Sequence, residues 1–126
     1  MDTMEYTILY VDDEEINLRL FRKSFRRDFN ILLAGSAKEA LEIIKTEKID
    51  IIITDQRMPE MTGVELLKIV NQLLPDIPPH RLILSGYSEN LDIDDAYNHY
   101  HLFSFVQKPW QYDELKQLLL NILGHT

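Results

Sequence analysis

Residues 49–63 read IDIIITDQRMPEMTG, and this stretch decides the fold. The β-branched run Ile51 to Thr54 predicts a strand buried on both faces, as in a parallel sheet. The strand ends on the carboxylate of Asp55, just before a Met58-Pro59 turn. Because ligands of open α/β sheets bind outside the carboxyl ends of the strands, Asp55 is a candidate site residue. Considered alone, a strand-end Asp is more often a helix cap or a turn residue, so the rest of the chain decides.

Length and cysteine content limit the possible classes of protein. At 126 residues the chain is expected to form one domain, 1–126, with a single hydrophobic core. Cysteine is absent, which excludes disulfides, thiolate zinc sites and thiol nucleophiles and fits a reducing compartment.

The charge balance limits the possible partners. With 13 Lys and Arg against 21 Asp and Glu, the net charge is −8. An acidic chain lacks the basic surface of a nucleic-acid binder, so we expect no direct nucleic-acid contact. No apolar run approaches the ~20 residues needed to span a bilayer. We therefore expect a cytoplasmic domain without membrane insertion.

Four acids follow the first predicted strand. Residues Tyr6 to Val11 are almost all apolar or aromatic, and the acids at 12–15 come directly after them. Negative charge at the start of the next helix is favoured by the helix dipole, which accounts for one or two of these acids. Four adjacent carboxylates repel one another, so the cluster needs a cation to stabilise it.

The helix after these acids also carries basic residues. Its basic positions form either a solvated face or a docking patch for an acidic partner, and they are Arg22, Lys23, Arg26 and Arg27.

Strands and helices continue to alternate along the chain. Three more strands are predicted at Phe29–Leu33, Arg81–Leu84 and Leu102–Gln107. Capping boxes beginning at Ser36 and Thr62 start the second and third helices. Helical spacing predicts a fourth helix around 93–100 and a last one that includes 115–122.

Five strands alternating with five helices predict an α/β fold of the (βα)5 type: a doubly wound five-stranded parallel sheet with helices on both faces. In such a sheet the carboxyl ends of the strands meet at one rim. An acid pair, a lone acid, a hydroxyl and a cation then come together there, and these are Asp12, Asp13, Asp55, Ser85 and Lys108. None is specific alone, but the combination is.

With these residues in view, the chain resembles the receiver domain of two-component response regulators over essentially its whole length. The resemblance is carried by VDDE at Val11–Glu14, TDQRMP at Thr54–Pro59 with Gly63, LSG at Leu84–Gly86 and FVQKP at Phe105–Pro109. It implies a flavodoxin-like fold with strand order 2-1-3-4-5, an order that we take from the family.

The resemblance implies a phosphoacceptor site that uses Mg²⁺, or Mn²⁺ in its place. Asp55 would be the phosphoacceptor. Asp13, Asp55 and the backbone carbonyl of Arg57 would bind the metal directly, and Asp12 largely through water. Hard oxygen ligands of this kind suit Mg²⁺. In the family the aspartate carboxylate attacks phosphorus and becomes an acyl phosphate, with catalysis mainly by positioning and charge neutralisation.

The resemblance also implies a switch. Lys108 and Ser85 would contact the phosphoryl group, and Phe105 would turn inward as Ser85 moves toward it. Family members often carry Tyr at this position, so Phe105 keeps the packing but offers no hydroxyl. Phosphorylation would bias a two-state equilibrium in the surface formed by the fourth helix, fifth strand and fifth helix.

Two residues depart from the commonest small choices near such a site. Arg57 lies two residues after the acceptor, and Tyr87 lies two after Ser85. Both are bulky, and we expect them to modulate how readily water attacks the phosphoryl group.

The family also implies its partners. We expect a histidine kinase or histidine phosphotransfer protein as phosphoryl donor, a downstream effector domain or protein, and a homodimer that forms on phosphorylation. The chain would catalyse its own phosphorylation and dephosphorylation while acting mainly as a signalling switch.

Three other functions are weaker. A phosphorylation-independent interaction module of the same fold would lack an acid or the lysine, and none is missing. An aspartate-nucleophile phosphatase needs a further general acid near the nucleophile, which Gln56 and Arg57 do not supply. A flavodoxin-like cofactor binder needs a phosphate-binding loop after the first strand, where this chain has four acids.

Overall fold

The computed structural model describes residues 5–73, 80–85 and 102–124, and for residues 102–105 it describes the backbone alone. The strands in these ranges are β1 (Thr7–Val11), β2 (Asn30–Ala34), β3 (Ile51–Asp55), β4 (His80–Ser85) and β5 (Leu102–Gln107). The helices are α1 (Glu15–Phe25), α2 (Ala37–Thr46), α3 (Gly63–Leu73) and a C-terminal helix (Tyr112–Ile122). The predicted fourth helix around 93–100 lies outside the described residues, as do Gly86 and Tyr87.

The five strands form one parallel sheet in the order β2-β1-β3-β4-β5, which confirms the expected strand order. Val11 pairs with Thr54 of the neighbouring strand. Asp55 pairs with Leu84, and Ser85 pairs with Gln107. The carboxyl ends of β1, β3, β4 and β5 therefore end at nearly the same level of the sheet.

Helices cover both faces of this sheet, as predicted. Leu9 and Ile52 belong to a buried cluster that includes residues of α2 and α3. Ile8 and Ile53, which point to the opposite face, belong to a second cluster with Phe21 of α1 and residues of the C-terminal helix. The alternation of strand side chains thus fills two cores, one on each face.

The strand bounds differ from the prediction by one or two residues. β3 runs through Asp55, so this carboxylate belongs to the last residue of the strand rather than to the following turn. β2 runs from Asn30 to Ala34 rather than from Phe29 to Leu33, and Phe29 is buried just before it.

Both predicted capping boxes are confirmed. The Glu39 N–H donates to Ser36 Oγ at 3.1 Å at the start of α2. The Glu65 N–H donates to Thr62 Oγ1 at 3.2 Å, and the Thr62 N–H donates to Glu65 Oε1 at 2.9 Å. These bonds satisfy first-turn N–H groups and fix where each helix begins.

Among the described residues, no helix has both the length and the apolar character that crossing a membrane requires.

Candidate functional site

Three aspartates converge at the carboxyl rim of the sheet. One carboxylate oxygen from each of Asp12, Asp13 and Asp55 lies within 4.8 Å of the other two. Asp12 and Asp55 are buried, whereas Asp13 is exposed. The structure therefore brings the acids after β1 and the acid that ends β3 into one cluster.

Lys108 connects two of these acids. Its Nζ lies 3.3 Å from Asp12 Oδ2 and 3.3 Å from Asp55 Oδ1. The backbone holds this lysine in place, since the Lys108 N–H donates to the Ser85 carbonyl oxygen at 2.7 Å. The Lys108–Pro109 peptide bond is cis. The predicted cation and two of the predicted acids thus contact one another directly.

Hydrogen bonds hold the buried carboxylate of Asp12 from several sides. Its Oδ2 accepts from the Tyr10 hydroxyl at 2.6 Å and from Asn17 Nδ2 at 3.1 Å, besides its contact with Lys108. Its Oδ1 accepts from the Glu14 N–H at 3.0 Å. Burial, the hydrogen bond to Asp12 and nearby negative charge raise the pKa of Tyr10, so the phenol remains a donor.

The two ionisable groups at the centre of the site shift in the same direction. Burial raises the pKa of Asp55, and the charge of Asp12 adds to that effect while Lys108 opposes it. Burial by itself lowers the pKa of Lys108, but the carboxylates of Asp55 and Asp12 outweigh burial and raise it. The lysine is therefore charged at neutral pH, and the crowded acids repel one another.

A cavity of 370 Å³ opens above the cluster. Its lining combines acids, amide, cation and hydroxyl, namely Asp13, Glu14, Asn17, Asp55, Arg57, Ser85 and Lys108. Ser85 is almost fully buried, so its side chain is held within the rim rather than in solvent. This cavity has room for a small anion beside Asp55.

The donor set suits Mg²⁺. Three carboxylates offer hard oxygen ligands, and one lysine balances only part of their negative charge. The exposed position of Asp13 leaves the cluster open to water, and Mg²⁺ usually keeps several waters.

Three residues that support the site were not identified from the sequence. Tyr10 and Asn17 hold Asp12, although the first looks like a core aromatic and the second like a surface residue of a helix. Gln56 Oε1 accepts from the Val64 N–H at 3.0 Å and so caps α3 just beside Asp55. The residue types alone do not distinguish these roles from ordinary packing or solvation.

Two predicted residues are not located. Tyr87 lies outside the described residues, and the description of Phe105 is limited to its backbone in β5, opposite Ile83. The predicted movement of Phe105 and the modulating role of Tyr87 stay predictions.

The fold and the acidic rim define a class of signalling domain, and comparison with known proteins agrees. The family model described as "Response regulator receiver domain" matches residues 8–120. The chain belongs to this family of two-component signalling proteins.

Among similar proteins, the hydrogenase transcriptional regulatory protein HoxA of Bradyrhizobium diazoefficiens is 42% identical over 113 residues, which cover 90% of this chain and 23% of HoxA. The transcriptional regulatory protein ZraR of Escherichia coli K12 is 33% identical over 120 residues, 94% of this chain and 26% of ZraR. The chain thus spans about a quarter of the length of these relatives.

Solved structures share the fold. The signal receiver domain of an HD domain-containing protein from Pseudomonas fluorescens Pf-5 matches with a TM-score of 0.87 and 27% identity, over 94% of each chain. The response regulator TrrA of Thermotoga maritima, solved in complex with Mg(2+)-BeF, matches with a TM-score of 0.81 and 24% identity, over 93% of this chain and 98% of TrrA.

Proposed function

We propose that this receiver domain accepts a phosphoryl group on Asp55 from a histidine kinase or a histidine phosphotransfer protein, in a reaction that requires Mg²⁺ or Mn²⁺. One observation carries the proposal: the carboxylates of Asp12, Asp13 and Asp55 meet the ammonium group of Lys108 at one rim of the sheet. Acids at this density with one fixed cation suit a site for a metal and a phosphoryl group.

The covalent step is a displacement at phosphorus. A carboxylate oxygen of Asp55 attacks the phosphorus of a phosphohistidine on the donor protein. The new O–P bond forms as the P–N bond breaks, and the histidine nitrogen retains the electron pair of that bond. The product is an acyl phosphate on Asp55.

The remaining site residues bind and orient. Asp13, Asp55 and the backbone carbonyl of Arg57 would hold the metal directly, with Asp12 acting largely through water. When bound, the metal supplies positive charge that offsets the charge of the phosphoryl oxygens. Lys108 pairs with these oxygens from the opposite side, and the Ser85 hydroxyl donates a hydrogen bond to them.

Phosphorylation then acts as a switch. Recruitment of Ser85 and Lys108 toward Asp55 alters the ends of β4 and β5, and Phe105 of β5 follows by packing inward. The surface that changes comprises β5, the C-terminal helix and the helix predicted around 93–100. It controls a downstream effector domain or protein, or a homodimer of the receiver. The names of HoxA and ZraR favour transcription as the output of such a chain.

Arg57 acts on the lifetime of the acyl phosphate. It lines the cavity above Asp55, where its side chain restricts or orients the attacking water. Dephosphorylation half-lives of Arg57→Ala, and of Tyr87→Ala with the same expectation, test this role. Wild-type half-lives in both variants would contradict it.

Intact-mass spectrometry tests the proposed function. Wild-type protein incubated with acetyl phosphate and Mg²⁺ is expected to gain the mass of one phosphoryl group, and to gain none when EDTA is present. Asp55→Ala should gain none, whereas Asp113→Ala, which removes an exposed acid of the C-terminal helix, should behave as wild type. A phosphoryl adduct on Asp55→Ala, or none on the wild type, would overturn the proposal.

A further inference from the structure

The carboxylate of Asp12 has more donors than its place in the metal site explains. Asp12 is fully buried. Three side chains converge on its Oδ2: the Tyr10 hydroxyl at 2.6 Å, Asn17 Nδ2 at 3.1 Å and Lys108 Nζ at 3.3 Å. The phenol is the nearest of the three and the lysine is the farthest.

Tyr10 is held firmly in this position. It is almost fully buried on β1, and its ring stacks on Phe21 of α1 with centroids 4.4 Å apart and planes inclined by 22°. Phe21 in turn meets the Trp110 ring edge-on at 6.1 Å, two residues beyond Lys108. Tyr10 therefore has little freedom to leave Asp12.

Lys108 is shared between two acids. Its Nζ lies 3.3 Å from Asp12 and 3.3 Å from Asp55. A phosphoryl group on Asp55 adds negative charge next to the lysine and attracts it. A buried carboxylate that loses its cation is destabilised unless other donors remain. The release of Lys108 thus depends on what else Asp12 accepts.

We propose that Tyr10 is a positioning residue that keeps Asp12 hydrogen-bonded while Lys108 moves from Asp12 to the phosphoryl group on Asp55. This inference rests on the proposed function of Asp55. Tyr10 touches neither the metal nor the phosphoryl group and acts through Asp12 and Lys108. Asn17 supports it by donating a longer hydrogen bond to the same oxygen.

Beryllofluoride, a phosphoryl analogue, tests the proposal with the variant Tyr10→Phe. This change removes the hydroxyl and keeps the ring that stacks on Phe21. At saturating Mg²⁺ the affinity for beryllofluoride is expected to fall about tenfold, as for loss of a hydrogen bond to a charged group. The affinity for Mg²⁺ alone, measured without fluoride, is expected to change less than about threefold, because the acids that hold the metal stay in place.

The chain offers a matched control. Tyr112 also donates its hydroxyl to a carboxylate, that of Asp28, and its ring stacks on Phe25 in the same aromatic cluster. Tyr112→Phe should leave both affinities at wild-type values. Asn17→Ala, on the partly exposed side of α1, should lower the beryllofluoride affinity about two- to threefold and provides the same test should Tyr10→Phe fail to fold.

The outcomes separate this inference from the proposed function. If the wild type binds beryllofluoride and neither Tyr10→Phe nor Asn17→Ala weakens binding, the role of Tyr10 is wrong and the role of Asp55 stands. If Tyr10→Phe weakens Mg²⁺ and beryllofluoride equally, Tyr10 only maintains the acidic cluster, which also overturns the inference. If the wild type does not bind beryllofluoride, the proposed function itself fails.

Discussion

Gly63, the first residue of α3, packs against the backbone carbonyl of Asp55. A Cβ at position 63 would lie 2.6 Å from the Asp55 carbonyl oxygen and 3.0 Å from Thr54 Cγ2. The Gly63 N–H also donates to the Gln56 carbonyl oxygen at 3.0 Å. The absence of a side chain at Gly63 therefore lets α3 begin beside the candidate phosphoacceptor.

Gly63→Ala should consequently damage both stability and function. The methyl group must displace backbone atoms at the end of β3, which is expected to cost about 1–3 kcal/mol of unfolding free energy and to slow phosphorylation. Urea unfolding and the rate of labelling by acetyl phosphate measure the two effects. Gly35→Ala is the matched control, since nothing lies within 4 Å of a Cβ there. Equal effects of the two substitutions would refute this reasoning.

Asp13 should carry much of the metal affinity. Its carboxylate is the exposed member of the acidic cluster, so Asp13→Asn removes a ligand charge with little change in buried structure. The Kd for Mg²⁺, measured by calorimetry, is expected to rise at least about tenfold, or about 1.4 kcal/mol. Glu15→Gln removes an exposed acid paired with Arg19 and should leave the Kd unchanged. A wild-type Kd in Asp13→Asn would exclude Asp13 as a ligand.

Lys108 should stabilise the metal-free protein. Lys108→Met leaves two buried carboxylates without their cation, and the expected loss is about 1–3 kcal/mol, less than for a fully buried pair because the lysine side chain is 23% exposed. Lys45→Met breaks a surface pair with Glu42, at 3.4 Å, and should change stability by less than about 0.5 kcal/mol. Chemical denaturation in EDTA compares the two variants. Similar small losses in both would show that Lys108 is not needed to balance the acids.

Tyr112 should titrate above its ordinary range. The hydrogen bond to Asp28, with burial and the charge of Asp28, raises the pKa of Tyr112 above 10.0. Because the folded-state pKa exceeds the unfolded one, this contribution to stability is complete below about pH 10 and is lost as the pH rises through the folded-state pKa. Carbon-13 NMR of the tyrosine ring should show that Asp28→Asn lowers the pKa, whereas Asp113→Asn leaves it unchanged. A wild-type Tyr112 pKa at or below 10 would disprove this contact in solution.

Local patterns were sufficient to predict the sheet and much of the site. The β-branched run of β3 and the capping boxes at Ser36 and Thr62 depend on neighbouring residues, so the sequence contains their signals directly. Once the strands are known to be parallel, Asp55 and Lys108 must lie at the same rim, and their observed contact follows from the topology.

Features that depend on long-range packing could not be predicted. The apolar strand predicted at 81–84 begins with Arg81, which is fully buried and whose pKa burial lowers to about 10. The helical spacing of α1 gives Ile16 and Leu20 the same weight as Phe21 and Phe25, yet only the phenylalanines are buried. The hydroxyl of Tyr10 reaches Asp12 because α1 fixes its ring, which no local pattern records.

The most direct test of the central claim locates the phosphoryl group on the chain. Protein labelled with acetyl phosphate and Mg²⁺ is treated with borohydride, which reduces an acyl phosphate to an alcohol, and the peptides are then mapped by mass spectrometry. The account predicts homoserine at position 55 in the wild type and no reduced residue in Asp55→Asn. Reduction at Asp12 or Asp13 instead, or at no aspartate in labelled wild-type protein, would contradict it.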